Sequence, residues 1–140
     1  MTEQEIKQLL AIRLEQEEGR RNKPYIDTVG KITAGVGRNL TDNGLRDDEI
    51  KLMLSNDIDE AYMQCEKSFS WFSEQPGRAK IVLVDMCFNI GIGSLKSFKN
   101  MLKYFERKMY TSAAAELLSS RYAKQVGKRA DNLAELLLTI

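Results

Sequence analysis

The first periodic run of apolar residues predicts a helix at the start of the chain. Its apolar side chains recur at the spacing of one helical face: Ile6, Leu9, Leu10 and Leu14. Thr2 followed by Glu5 forms a capping box, and Gly19 suits the left-handed position after a helix end. We therefore predict a helix from about residue 3 to about residue 18.

The pattern of side chains changes at Pro24. The stretch "PYIDTVGKITAGVGRNL" is rich in β-branched and aromatic residues, and it is interrupted by Gly30, Gly35 and Gly37. This combination is typical of short strands joined by tight turns. It is the one part of the chain in which we predict strands.

Two long helices are predicted after the turn "TDNG". The first begins near Asp47, ends before "SFSWFSEQPG" and carries one apolar face: Ile50, Leu54, Ile58, Tyr62 and Cys65. The second covers "RAKIVLVDMCFNIG", which is apolar on nearly every side. We expect this second helix to be surrounded by others.

Three further helices are predicted behind these, over Ser97 to Lys108, Thr111 to Ser119 and Gln125 to Thr139, with Thr111 as the N-cap of the middle one. The predicted fold class is α+β, with a small N-terminal β-hairpin or sheet lobe, a larger C-terminal helical lobe and a ligand-binding cleft between them. We predict one domain over residues 1–140. Within it, about residues 15–60 form the small lobe with its linking helix, and about residues 61–140 with the N-terminal helix form the helical lobe.

The composition excludes several classes of enzyme. The chain has no histidine, which removes the usual serine triad, the cysteine–histidine dyad and the histidine-ligated zinc centre. Cys65 and Cys87 lie among apolar helical neighbours, so we predict buried free thiols rather than a disulfide. If the protein is an enzyme, carboxylates are the expected reactive groups.

Charge is unevenly distributed along the chain. Residues 42–60 hold seven acidic and two basic side chains, whereas residues 96–129 hold nine basic and two acidic ones. The basic segment suits a polyanion such as nucleic acid or an anionic cell wall, and a solvated helical face explains it equally well. The acidic start is unlike a secretory signal, and no apolar run approaches the roughly 18 residues of a membrane span, so we expect the protein to begin in a cytoplasm.

The region of the predicted strands also contains a pair of carboxylates. Glu18 lies at the last turn of the first helix, where the helix dipole and partial burial against the following loop would favour a protonated acid. Asp27 lies among polar neighbours, which suits an ionised carboxylate that directs water. Thr33 faces the same side as Asp27 if paired residue numbers in the hairpin have an even sum, and the opposite side if the sum is odd. Taken singly, such residues are commonly structural.

These residues resemble the catalytic signature of a known family. "EEG", "YIDTVGKITAGVG" and "NLT" together are similar to the signature of the phage-type lysozymes, the T-even endolysin family of peptidoglycan muramidases. The resemblance implies that Glu18 is the general acid and that Asp27 and Thr33 act on the attacking water. Both intervals match, with nine residues from Glu18 to Asp27 and six from Asp27 to Thr33. A single spacing error would transfer the acid role to Glu17.

The resemblance extends over nearly the whole chain. "RAKIVLVDMCFNIG" resembles the central helix of the family, and "SRY" stands where the family usually has Ser-Arg-Trp. The resemblance implies four residues that line a saccharide groove: Asn39, Phe88, Asn89 and Arg121. The chain departs from the family at Arg38, where the family commonly has histidine, so the contact made there is either absent or replaced by an arginine ion pair.

The implied function is hydrolysis of the β-1,4 bond between N-acetylmuramic acid and N-acetylglucosamine in peptidoglycan, with inversion and with no metal or cofactor. Inversion requires carboxyl groups roughly 6.5–9.5 Å apart. We also expect a monomer that binds no nucleic acid and does not insert stably into membranes. The resemblance implies that the protein waits in the host cytoplasm until a separate membrane-permeabilising protein releases it to the wall. Two alternatives stay open: a noncatalytic glycan-binding or structural module with this fold, and a nucleic-acid-binding protein.

Overall fold

The computed structural model describes all of residues 1–140, and the chain divides into two compact units, Met1–Lys51 and Leu52–Ile140. The first unit contains a three-stranded antiparallel sheet, and the second contains only helices and their connections. The predicted α+β class, with strands confined to the N-terminal side, is therefore confirmed. The predicted grouping of the first helix with the helical lobe stays a prediction.

The first helix, α1, covers Glu3–Glu18 as predicted. Its capping box is present, because the Glu5 amide donates to the Thr2 hydroxyl at 3.1 Å and the Thr2 amide donates to the Glu5 carboxylate at 3.2 Å. Gly19 ends the helix with φ 78° and ψ 170°, which has the expected sign of φ but is not the left-handed helical conformation. Every residue of α1 is exposed within the structure, including its predicted apolar face.

The sheet consists of β1, Arg21–Ile26, β2, Ile32–Gly35, and β3, Arg38–Asn39, in that spatial order. The first strand begins three residues before Pro24, the point at which we predicted the strand region to start. Pro24 is tolerated inside β1 because this is an edge strand with an irregular register between Arg21 and Tyr25.

The segment after the sheet contains one short and one long helix. The predicted turn "TDNG" is instead part of a single helical turn, α2, over Leu40–Asn43. The long helix α3 covers Asp47–Ser68, so its predicted start is confirmed and its end lies one residue later than predicted.

A short 3-10 helix at Phe72–Glu74 precedes the remaining helices. These are α4, Gly77–Ile90, α5, Ile92–Lys96, α6, Lys99–Glu106, α7, Tyr110–Leu118, α8, Arg121–Val126, and α9, Lys128–Leu138. They enclose one core whose largest fully buried side chains include Phe72, Leu83, Met86 and Phe105. The predicted central helix is α4, but only one side of it is in that core, since Ile81 and Phe88 are 55% and 45% exposed.

Two predictions for the C-terminal helices are wrong, and one helix was missed. Thr111 does not cap a helix, because α7 already begins at Tyr110, and its N-cap residue, Met109, makes no side-chain capping bond. The predicted helix over residues 125–139 instead covers the end of α8 and the whole of α9, which Gly127 separates with a φ of 60°. The short helix α5 was not predicted.

Both cysteines are buried free thiols, as predicted. Burial, reinforced by the neighbouring Cys87, raises the pKa of Cys65 to about 12, so this thiol stays protonated and unreactive at neutral pH. None of the helices is both long enough and apolar enough to cross a bilayer.

Candidate active site

Glu18 is the last residue of α1, and its carboxyl group lies against the turn between β2 and β3. A Cβ atom built on Gly37 would come 2.9 Å from Oε2 of Glu18. Glu18 is nevertheless exposed, so the partial burial that we expected from the sequence is not present. Water therefore reaches the carboxyl group of the predicted general acid.

Asp27 begins the hairpin loop that joins β1 to β2. Its Oδ1 accepts hydrogen bonds from the main-chain amides of Val29, at 3.0 Å, and Lys31, at 2.8 Å. The loop closes through the amide of Gly30, which donates to the Asp27 carbonyl at 3.1 Å, and Gly30 has the positive φ that such a tight loop requires. Both side-chain bonds use Oδ1, so Oδ2 of this half-buried carboxylate has no part in the turn.

The register of the hairpin places Asp27 and Thr33 on one side of the sheet. Tyr25 pairs with Thr33 and Ile26 pairs with Ile32, and both pairs of residue numbers have an even sum. The main-chain amide of Asp27 donates to the carbonyl of Lys31 at 2.9 Å and so continues the same register. Because facing alternates along a strand, the condition set by the sequence for a shared face is met.

Thr33 is 4% exposed, and its hydroxyl donates to the Lys31 carbonyl at 3.1 Å. This bond fixes the direction of the hydroxyl proton, while the oxygen can still accept a hydrogen bond from a water molecule. Thr33 also pairs with Asn39 on β3, and directly opposite residues share a face. Three of the predicted site residues therefore lie on one face of the sheet: Asp27, Thr33 and Asn39.

Asn39 has a structural task of its own. Its side chain is the N-cap of α2, accepting from the Asp42 amide at 3.0 Å and donating to the Asp42 carboxylate at 2.9 Å. Asp42 in turn forms an ion pair with Lys31 at 3.1 Å. This network ties α2 to the strand that carries Thr33.

Arg38, which stands where the family commonly has histidine, forms an ion pair. Its guanidinium donates two bonds to the Glu49 carboxylate, at 2.7 and 2.5 Å, and a third to the Gly44 carbonyl at 3.2 Å. The hydrogen bond from Arg38 and a second from the Arg46 amide lower the pKa of Glu49 to about 2. The first of these bonds also raises the pKa of Arg38. Of the two alternatives for this position, the arginine ion pair is the one present.

The other predicted saccharide contacts belong to the second unit. Phe88 and Asn89 are exposed residues near the end of α4, and Arg121 is the exposed first residue of α8. Phe88 lines two surface depressions of this unit, one largely apolar and one that includes Asp57 and Glu60. Their role in binding a saccharide stays a prediction.

Two features of the site were not predicted from the sequence. The closeness of Gly37 to Glu18 depends on how α1 meets the sheet, and no local pattern shows this. Glu49 is one of several acidic residues at the start of α3, and only the folded backbone selects it as the partner of Arg38. No group of three or more cysteine, aspartate or glutamate side chains lies close enough together to hold a metal ion.

Comparison with known proteins shows the family to which the chain belongs. The model of the Phage lysozyme family matches residues 15–135. The chain is also similar to the "Probable T4-type lysozyme 2" of Dictyostelium discoideum, with 24% identity over 90% of this chain and 91% of the relative. The family match includes all seven residues that the sequence predicted for the site.

Proposed function

Because the chain belongs to the phage lysozyme family, and so is a lysozyme-type glycoside hydrolase, we propose that it cleaves the β-1,4 bond between N-acetylmuramic acid and N-acetylglucosamine in bacterial peptidoglycan. The observation that carries this proposal is the shared sheet face of Asp27 and Thr33, together with Glu18 at the neighbouring β2–β3 turn. These are the three residues that the resemblance assigns to catalysis.

In the proposed mechanism, Glu18 donates its proton to the glycosidic oxygen as the bond breaks. The sugar passes through an oxocarbenium-like state, and the leaving part of the glycan departs as an alcohol. Glu18 is then a carboxylate. Glu18 is exposed, so a large polymer can reach it. Glu18 alone supplies the proton that the leaving oxygen needs.

Asp27 and Thr33 are proposed to direct the attacking water. Oδ1 of Asp27 is held by the hairpin amides, which orients the carboxylate and leaves Oδ2 to accept a proton from water. The Thr33 oxygen accepts the other hydrogen of that water, since its own proton is engaged with Lys31. Attack from the face opposite the leaving group gives inversion.

Replacement of Glu18 by glutamine is the test of the general acid. Glutamine keeps the shape of the side chain but has no transferable proton, so we expect cell-wall hydrolysis to fall at least about a hundredfold. Glu17→Gln is the matched control, because Glu17 is the adjacent carboxylate and is also exposed. The rate is measured as the clearing of a wall suspension, with reducing ends counted in parallel.

Glu18→Gln and Glu17→Gln distinguish the two residues that could act as the general acid. Loss of activity in Glu18→Gln alone supports the proposal. A normal rate in Glu18→Gln with loss in Glu17→Gln would move the acid to Glu17. Normal rates in both variants would reject acid catalysis by this helix end.

We further propose that Asn39, Phe88, Asn89 and Arg121 contact the saccharide, as the resemblance implies. Alanine at each position should raise KM more than it lowers kcat, because such contacts bind ground state and transition state alike. Asn39 also caps α2, so its variant needs an unfolding measurement beside the kinetics. A set of variants with unchanged KM would remove these residues from the binding surface.

The biological setting is proposed on the resemblance alone. The protein is expected to accumulate in a host cytoplasm and to act on the wall after a separate membrane-permeabilising protein has opened the inner membrane. Expression in bacteria tests this: lysis should follow only when a pore-forming membrane protein is produced as well. Rapid lysis by the enzyme alone would contradict the proposed order of events.

A further inference from the structure

Gly37 differs from the other glycines of this chain in what surrounds it. Seven glycines have a positive φ, and at six of them a Cβ atom would meet nothing within 4 Å. At Gly37 a Cβ atom would lie 2.9 Å from Oε2 of Glu18 and 3.2 Å from its Cδ and Cγ atoms. Real Cβ atoms do not approach oxygen this closely, so a side chain at Gly37 forces the Glu18 carboxyl group to move.

We propose that Gly37 is a positioning residue for the general acid. Its missing side chain lets the Glu18 carboxyl group rest against the main chain of the β2–β3 turn, and any larger residue displaces that carboxyl group. The inference rests on the proposed role of Glu18. It adds a reason for glycine at this position that the turn alone does not supply.

We expect the clash between a side chain at position 37 and Glu18 to be relieved by movement of Glu18 rather than of the turn. Glu18 is exposed, and the atoms nearest to the Gly37 position belong to the far end of its flexible side chain, so this end swings into solvent at little cost. The turn has less freedom, because the next residue, Arg38, is held by Glu49 and by the Gly44 carbonyl. Folding therefore tolerates the substitution better than catalysis does.

Displacement of the acid is costly for the reaction. A proton donor has to come within roughly 2.6–3.2 Å of the oxygen that it protonates. Misplacement of a catalytic group by about 1 Å lowers rates on the order of a hundredfold. The expected signature is a lower kcat with little change in KM, since substrate contacts elsewhere are not altered.

Gly35, the last residue of β2, is a matched control beside the same turn. Its φ of 67° is close to the 70° of Gly37, so alanine is forced into a disfavoured positive φ at both positions. A Cβ atom at Gly35 has open space around it, whereas one at Gly37 meets Glu18. The difference between Gly35→Ala and Gly37→Ala therefore isolates the contact with the acid.

The experiment compares kcat and KM of Gly35→Ala, Gly37→Ala and the wild type, with urea unfolding to verify that each variant is folded. We expect kcat of Gly37→Ala to be at least about tenfold below that of Gly35→Ala, with KM changed less than about twofold. The carbon NMR signal of the Glu18 carboxyl group gives a readout independent of activity. It should shift in Gly37→Ala and keep its wild-type position in Gly35→Ala.

Equal kcat values for the two glycine variants, or an unshifted Glu18 signal in Gly37→Ala, would overturn the inference. Failure of the proposed function has a different signature, because Glu18→Gln would then hydrolyse walls at the wild-type rate. An inactive Glu18→Gln together with equal glycine variants would reject only the role of Gly37.

Discussion

Asp27 combines two roles that substitution can separate. Its Oδ1 holds the hairpin through the amides of Val29 and Lys31, and its charge is proposed to activate water. Asp27→Asn keeps an oxygen that can accept both main-chain bonds but removes the charge and the capacity to take up a proton. Asp27→Ala removes the acceptor as well. Asp27→Asn should therefore be as stable as the wild type, and Asp27→Ala should be less stable.

The size of the folding effect follows from the two hydrogen bonds. Each contributes about 0.5–1.5 kcal/mol net to stability. Water replaces part of this at a half-buried turn, so we expect Asp27→Ala to lose about 1–2 kcal/mol of the free energy of unfolding. Asp27→Asn should stay within about 0.5 kcal/mol of the wild type, because its amide oxygen replaces Oδ1.

The catalytic effect should be the same for both variants. Neither asparagine nor alanine can take a proton from water, so each should lower wall hydrolysis at least about a hundredfold. Urea unfolding measures the first quantity, and reducing-end release measures the second. Normal hydrolysis by Asp27→Asn would refute the catalytic role. Equal stability of the two variants would refute the role of Oδ1 in the turn.

Three further predictions concern the stability of the fold. The pKa of Glu49 is lowered from an ordinary 4.5 to about 2. The ionised carboxylate therefore contributes fully to the free energy of unfolding above pH 4.5, and this contribution is lost as pH falls towards 2. Arg38→Met should lower the free energy of unfolding at neutral pH and reduce its fall over this range, and urea titrations giving an unchanged fall would contradict this. Tyr122 is 5% exposed, and its hydroxyl has no hydrogen-bond partner. Tyr122→Phe should therefore keep the free energy of unfolding of the wild type or raise it by up to about 1 kcal/mol. A loss of stability in calorimetry would show that the hydroxyl is paired. Gln75→Leu removes the donor to a buried carbonyl and the acceptor of the Tyr110 hydroxyl, so it should cost about 2–3 kcal/mol in urea unfolding, and a neutral effect would show that water replaces these bonds.

The helices were predictable where a local signal marks their ends. The capping box at Thr2 and the acidic start of α3 at Asp47 are sequence patterns with a direct physical cause, and both helices begin where those patterns are. The Thr111 prediction failed because a threonine at a helix start is not a cap unless its main chain is extended. The helix had already begun at Tyr110.

The interruption at Gly127 was missed for a different reason. Its neighbours keep a helical spacing of apolar residues on both sides, so the pattern predicts one helix although the main chain reverses its φ at the glycine. The helix α5 is too short, at five residues, for any periodicity to be recognised. Such short elements are set by tertiary packing rather than by local preference.

For the candidate site, the sequence predicts the catalytic residues and the intervals between them. The intervals that join Glu18, Asp27 and Thr33 come from the sequence, and so does the condition that the hairpin register has to meet. The partner of Arg38 and the contact of Gly37 with Glu18 depend on tertiary structure, because each brings together residues from different elements. No local pattern selects among the acidic residues of α3.

The stereochemistry of the first product tests most directly the claim that Glu18 gives a proton while Asp27 and Thr33 direct water to the opposite side of the sugar. Proton NMR of a fresh digest of a soluble peptidoglycan fragment resolves the two anomers before they equilibrate. Inverting hydrolysis predicts that the α-anomer of the new reducing end appears first. Initial release of the β-anomer would contradict the proposed roles and indicate a covalent, retaining route.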